Sequence, residues 1–136
     1  MNLAPSAAPL PLANPRKQRL MEEIEQNLDE VERWRKINAA YHEDDLKFMR
    51  FLIPPGKRVL ELGCGTGDLL AALEPSHGVG VDFGAVTLAR ARARFPQLNF
   101  ILGDAEDPAT LQAIEGPFDY IVIADTIGMF EDITFK

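Results

Sequence analysis

The sequence predicts an α/β fold, a doubly wound parallel sheet set behind N-terminal helices, and three observations carry that prediction. Apolar strand candidates alternate with helical patterns from Arg58 onward, the arrangement that builds a sheet with helices on its faces. The strand cores "VLEL", "VGV" and "YIVIA" are apolar with little alternation, as parallel strands covered on both faces are. A glycine-rich turn, "GCGTG", follows the first strand, where such sheets meet ligands.

At 136 residues the chain has the length of one domain. Hydrophobic residues at 46% and charged residues at 26% give the balance of a folded globular protein. The expected organisation is a disordered arm over 1–15, a helical segment over 16–53 and a ligand-binding sheet domain over 54–136. "MNLAPSAAPLPLANP" lacks a basic leader followed by an apolar segment and does not read as a secretory signal. No apolar stretch approaches the roughly 20 residues of a membrane helix. Cys64 is the only cysteine, so no internal disulfide forms and a reducing, cytoplasmic setting is expected. No histidine lies near it in sequence to make it a nucleophile. His42 and His77 lack acids or cysteines at ligand spacing, so no metal site is expected.

Leu20, Ile24, Leu28, Val31, Trp34 and Ile37 recur in steps of three or four, which predicts one helix over Arg16 to Tyr41 with this stripe inward. Its acids Asp29 and Glu32 stand four residues before Arg33 and Lys36, the spacing of exposed helical ion pairs. A second helix is expected over Glu43 to Leu52, stopped by Pro54 and Pro55. Strands are then expected at Arg58 to Gly63, His77 to Asp82, Leu98 to Asp104 and Phe118 to Thr126, with helices at Gly67 to Leu73, Ala85 to Phe95 and Pro108 to Ile114. Asp107 before Pro108 reads as a helix cap with a first-turn proline.

Glycines at 63, 65 and 67 let the backbone approach a ligand and aim a helix N-terminus at it. Their G-x-G-x-G spacing, followed by Asp68, departs from the G-x-G-x-x-G of dinucleotide enzymes, and a carboxylate there suits pyrophosphate poorly. Asp82 ends the second strand 19 residues after Gly63, near the distance at which an acid meets a ribose in such sheets.

With Glu61 two residues before the first glycine, "ELGCGTG" resembles the first motif of the class I S-adenosylmethionine-dependent methyltransferases, and the resemblance extends over about residues 56 to 132. It implies a Rossmann-like sheet ordered 3-2-1-4 through its first four strands, and S-adenosylmethionine as cofactor. In that family Asp82 would grip the ribose, with Phe83 against the adenine. Asp104 would serve the adenine amino group and the Ala105 N–H a ring nitrogen. Ala124 and Asp125 would lie where the methionine part is held, with Asp125 facing the substrate as the alternative, and Glu61 would help organise the amino end. Asp82 as a helix cap, Asp104 as turn chemistry and Glu61 as a turn-stabilising carboxylate remain the alternatives.

The resemblance implies methyl transfer by in-line displacement, in which the protein chiefly positions the reactants, and no catalytic base stands out. "ADTIG" lacks the Asn-Pro-Pro-aromatic signature of nucleobase amino methylation. The charge of −7, from 14 basic and 21 acidic residues, argues against a phosphate backbone as partner. Arg90, Arg92 and Arg94 spread around a helix rather than forming a patch. A small-molecule acceptor is therefore expected. The family's sheet has seven strands, so the chain reads as truncated after the fourth, with an open edge suited to a partner strand or a homo-oligomer. A non-catalytic binding module is the alternative, and a nicotinamide-dependent oxidoreductase is disfavoured by Gly67 and Asp68.

Overall fold

The computed structural model describes residue 12 and residues 14–37 and 39–124. Helices come first: α1 (Pro15–Gln26), α2 (Leu28–Ile37) and α3 (Ala39–Leu52). Asn14 caps α1, its side chain accepting from the N–H groups of Arg16 at 2.7 Å and Lys17 at 3.4 Å, with Pro15 at the first helical position, where a missing N–H costs nothing.

The single long helix expected up to Tyr41 is divided. At Asn27 the side-chain amide donates to the Glu23 carbonyl at 2.9 Å, competing with the backbone as short amides do, and α1 stops. Tyr41 and His42 fall in α3, which begins four residues ahead of the expected Glu43. The inward stripe also differs. Lys17, Met21 and Leu28 are buried, whereas Trp34 is 53% and Ile37 64% exposed. Asp29 and Glu32 do not pair along their own helix: both reach Arg90, at 2.8 and 3.2 Å.

From Arg58 the expected alternation holds, with every expected strand and helix present but most of them trimmed at their ends. β1 (Arg58–Leu62) leads through the glycine turn to α4 (Asp68–Ala72). β2 (His77–Asp82) is followed by α5 (Ala85–Arg94), β3 (Asn99–Leu102) by α6 (Pro108–Gln112), and β4 (Tyr120–Val122) closes the series. All pairings are parallel and the order is β3-β2-β1-β4. Asp107 caps α6 as expected, accepting from the Ala109 N–H at 3.0 Å ahead of Pro108.

The sheet is covered on both faces, which is why its strands carry apolar residues at successive positions. Val59, Leu70, Leu88, Phe100 and Val122 lie in one cluster; Leu60, Val79 and Val81 lie in the other, with Ile114 and Phe118 packed against them. His77 stacks on Phe118 with ring centroids 5.9 Å apart. Coverage fails at β4, where Ile121 is 63% exposed. Among the described residues that strand pairs with β1 alone.

Candidate functional site

The candidate residues gather at the carboxyl ends of the strands because each parallel strand delivers its last residue to the same edge. Gly63, Gly65 and Gly67 all take positive φ, at 77, 56 and 84°, a region closed to most side chains. The three glycines serve one geometry: the chain passes from β1 into α4 through five residues. At Gly67 space is short as well, since a Cβ would stand 2.9 Å from the Phe100 ring.

This turn is laced to the end of β2. The Gly63 and Cys64 N–H groups donate to the Val81 carbonyl at 2.7 and 3.0 Å. The Gly65 N–H donates to Asp82 Oδ2 and the Gly84 N–H to Asp82 Oδ1, each at 2.9 Å. Two backbone donors thus fix the carboxylate plane while each oxygen keeps acceptor capacity. Burial pushes the Asp82 carboxyl above the ordinary carboxylate range; the Gly84 and Gly65 N–H groups pull it down without cancelling that rise, and nearby Glu25 adds to it.

Glu61 lies in β1 on the same face as Val59 and is 3% exposed. Burial pushes the Cys64 thiol up, and the Asp82 and Glu61 carboxylates raise it further, so this sulfur stays protonated and is a poor nucleophile. Phe83 is half-buried directly after Asp82, and Ala105 is half-buried in the turn after β3. Ala124 packs against the first cluster. Asp125 lies outside the described residues.

Asp104 stands beside Asp82, because the Gly103 N–H donates to the Asp82 carbonyl at 3.0 Å. It already has partners. The ammonium of Lys17, from α1, lies 2.9 Å from both its oxygens and also bonds Glu106, while the Glu106 N–H donates to Oδ1 at 3.0 Å. Burial alone would lower the Lys17 ammonium, but Glu106 and Asp104 hold it above its ordinary value. A second contact from α1 reaches the same edge: Glu25 Oε1 accepts from the Val86 N–H at 2.9 Å. It serves an N-terminal donor of α5 that Gly84, without a side chain, leaves open.

Sequence patterns did not single out Lys17, Glu25 or Glu106. Lys17 and Asp104 are 87 residues apart, and a lysine on a charged helix carries no local mark of burial. The arginines of α5 are all engaged: Arg90 with Asp29 and Glu32, Arg92 with the Phe100 carbonyl at 3.0 Å, Arg94 with Asp68 at 2.8 Å. A cavity of about 550 Å³ beside the edge strand β3, lined by Arg92, Pro96, Leu98, Asn99, Phe100 and Ile101, contains none of the candidate residues. Among the described residues no group of acids, histidines and cysteines could hold a metal, and no helix is long and apolar enough to cross a membrane.

These acceptors suit a nucleoside. Asp82 offers two oriented acceptor oxygens suited to vicinal hydroxyls, beside a turn whose glycines at 63 and 65 hold no side chain over the approach.

Known proteins point the same way. The family model described as "Methyltransferase domain" matches residues 59–135, more than half of the chain. The 2-phytyl-1,4-naphtoquinone methyltransferase of Thermosynechococcus vestitus is 44% identical over 61 residues, 39% of this chain and 27% of the relative. The demethylmenaquinone methyltransferase of Beutenbergia cavernae is 40% identical over 73 residues, 52% of this chain and 29% of that one. Among solved structures, a Thermotoga maritima S-adenosylmethionine-dependent methyltransferase, titled a possible histamine N-methyltransferase, superposes with a TM-score of 0.67 at 28% identity, covering 80% of this chain and 49% of its own. The chain spans less than half the length of each of these proteins. The fold, the strand order and the family match agree, and this chain belongs to the class I S-adenosylmethionine-dependent methyltransferases, whose domain uses S-adenosylmethionine as cofactor.

Proposed function

We propose that this chain forms the cofactor-binding part of a methyltransferase acting on a small-molecule acceptor. The bound cofactor supplies a methyl group on a sulfonium leaving group, open to in-line displacement by the acceptor's nucleophile. The chain's own part is to bind and orient. Asp82 accepts the two ribose hydroxyls; Gly63, Gly65 and Gly67 keep the approach clear; Glu61 organises the amino end from beneath the turn. Phe83 flanks the adenine, and Asp104 with the Ala105 N–H meets its edge. Ala124 and Asp125 complete the methionine end. The observation that carries this reading is the Asp82 carboxylate held by one N–H from the glycine turn and one from its own loop.

A small-molecule acceptor is supported by the quinones in the names of the two curated relatives. A reducing, cytoplasmic setting is supported by the single, buried cysteine. A second reading, a non-catalytic module that takes a strand from another chain, is favoured by the exposed Ile121 on β4; it requires cofactor binding without methyl transfer to any acceptor.

Calorimetric titration with S-adenosylmethionine tests the first reading. Asp82→Ala, folded by circular dichroism, is expected to lose about 1.5–3 kcal/mol of binding, the value of hydrogen bonds to a charged group. Unchanged affinity removes the ribose assignment. The pH dependence has a definite sign. Because the folded Asp82 binds its proton more readily than the unfolded chain does, the unliganded fold loses stability as pH rises from the ordinary carboxylate range through the raised value. Cofactor affinity moves oppositely, weakening as pH falls through that value, since a protonated carboxyl gives up an acceptor.

A further inference from the structure

We propose that Lys17 is a positioning residue for the nucleobase, fixing the Asp104 carboxylate as an acceptor by sharing its ammonium between Asp104 and Glu106. The inference rests on the reading of Asp104 as the adenine partner and extends it to a residue on a different part of the chain.

Lysine is almost never fully buried unless paired. Lys17 has a side chain only 3% exposed, and its ammonium is enclosed by two carboxylates. Asp104 differs: its side chain is 23% exposed. The carboxylate therefore has a closed side, held by the lysine, and an open side. Of roughly four lone-pair positions on a carboxylate, Lys17 takes one on each oxygen and the Glu106 N–H takes another on Oδ1. One acceptor position on Oδ2 is left, and an exocyclic amine needs one.

Charge explains why the lysine is required for that geometry. Asp104 and Glu106 lie two residues apart, both within reach of the same ammonium. Without it two like charges face each other on a tight turn, and repulsion rotates the Asp104 carboxylate away. The anchoring is also directional, because α1 is held at its other end by Glu25 on the Val86 N–H. Lys17 approaches from a helix fixed at two points, beside the ends of β3 and β2.

The experiment compares two ligands, S-adenosylhomocysteine and its 6-oxo analogue S-inosylhomocysteine, which differ at C6 and in the proton on N1, by titration against the whole chain. The wild-type chain is expected to prefer the amino ligand by about tenfold or more, since the oxo group sets an acceptor against Asp104 and the N1–H a donor against the Ala105 N–H; the part due to Asp104 is the part that Lys17 variants remove. In Lys17→Met, folded by its thermal melt, affinity for S-adenosylhomocysteine falls about tenfold while that for the oxo analogue changes little, so that part of the preference collapses. Lys17→Gln, still able to donate to one carboxylate, narrows it less. A preference unchanged in both variants, or an equal weakening of both ligands, overturns the proposal and leaves Lys17 a tether for α1. A wild-type chain that binds both ligands equally removes the Asp104 assignment instead, and one that binds neither removes the cofactor reading.

Discussion

Two corners of this molecule meet at the same sheet edge and are held by different means. The corner of the glycine turn and Asp82 is tied by backbone donors: Gly84 is two residues from Asp82, and Gly65 is 17 residues before it. The corner where α1 and α2 lie against the rest of the chain is tied by side chains 58 to 87 residues from their partners, Glu32 to Arg90, Glu25 to Val86 and Lys17 to Asp104. The first arrangement is set by dihedral angles and sterics. The second is set by charge and capping, and its energy depends on solvent, salt and pH. On the proposed reading the cofactor's sugar would meet the first corner and its base the boundary between the two.

The sharpest way to break the first corner is Gly67→Ala. The residue sits at φ 84°, and its Cβ would stand 2.9 Å from Phe100 Cζ and 3.2 Å from Phe95 Cδ2. The left-handed conformation costs an ordinary residue roughly 1–2 kcal/mol, and overpacking a filled site adds roughly 1–3 kcal/mol. Together they make about 2–5 kcal/mol, a large share of the stability of a domain this size. Urea denaturation is expected to show the midpoint fall by that measure; a midpoint within error of wild type means the turn can relax and is not the rigid corner described.

Glu25→Ala addresses the second corner and is expected to cost less, about 0.5–2 kcal/mol, the usual range for loss of a helix cap. Faster amide exchange at Val86 localises the loss. The variant carries a second signature. Glu25 helps to push the Asp82 carboxyl up, so its removal lets that value drop, and the acid limb of the cofactor-binding profile moves to lower pH. A profile that stays in place shows that the two corners are electrically independent.

The same division explains what the sequence discloses. Alternating elements, the three glycines and Asp82 at the end of β2 were readable because each leaves a local mark: a run of apolar residues, a spacing, an acid where a strand ends; the strand order followed only from the family resemblance. The Asp107 cap was readable for the same reason. The N-terminal half was misread at Asn27, where one amide diverted a helix whose periodicity continued unbroken. It was misread again at Trp34 and Ile37, apolar on a regular stripe and yet exposed. Periodicity reports which face could be buried, and only a partner decides whether it is. Lys17 is the converse, a charged side chain buried because two acids from the third βα turn receive it. Asp104 reads as a turn residue or a base contact, Glu106 carries no mark of its own, and nothing within several residues of Lys17 announces either.

The weakest tie should be the outermost, between Asp29 and Arg90. Their groups approach to 2.8 Å, but the Asp29 side chain is 90% exposed, and exposed ion pairs lose most of their attraction to water and to the entropy of holding two long side chains. Glu32 sits on the same guanidinium at 3.2 Å, so removing Asp29 alone leaves Arg90 paired. A double-mutant cycle with Asp29→Asn and Arg90→Gln, read by urea denaturation, is expected to give a small coupling that vanishes in high salt, where the screening length shrinks to a few ångströms. The Lys17 contacts, largely removed from solvent, should keep their effect under the same salt. If salt abolishes both alike, burial does not distinguish them, and the N-terminal helices are held over the site by surface charge alone.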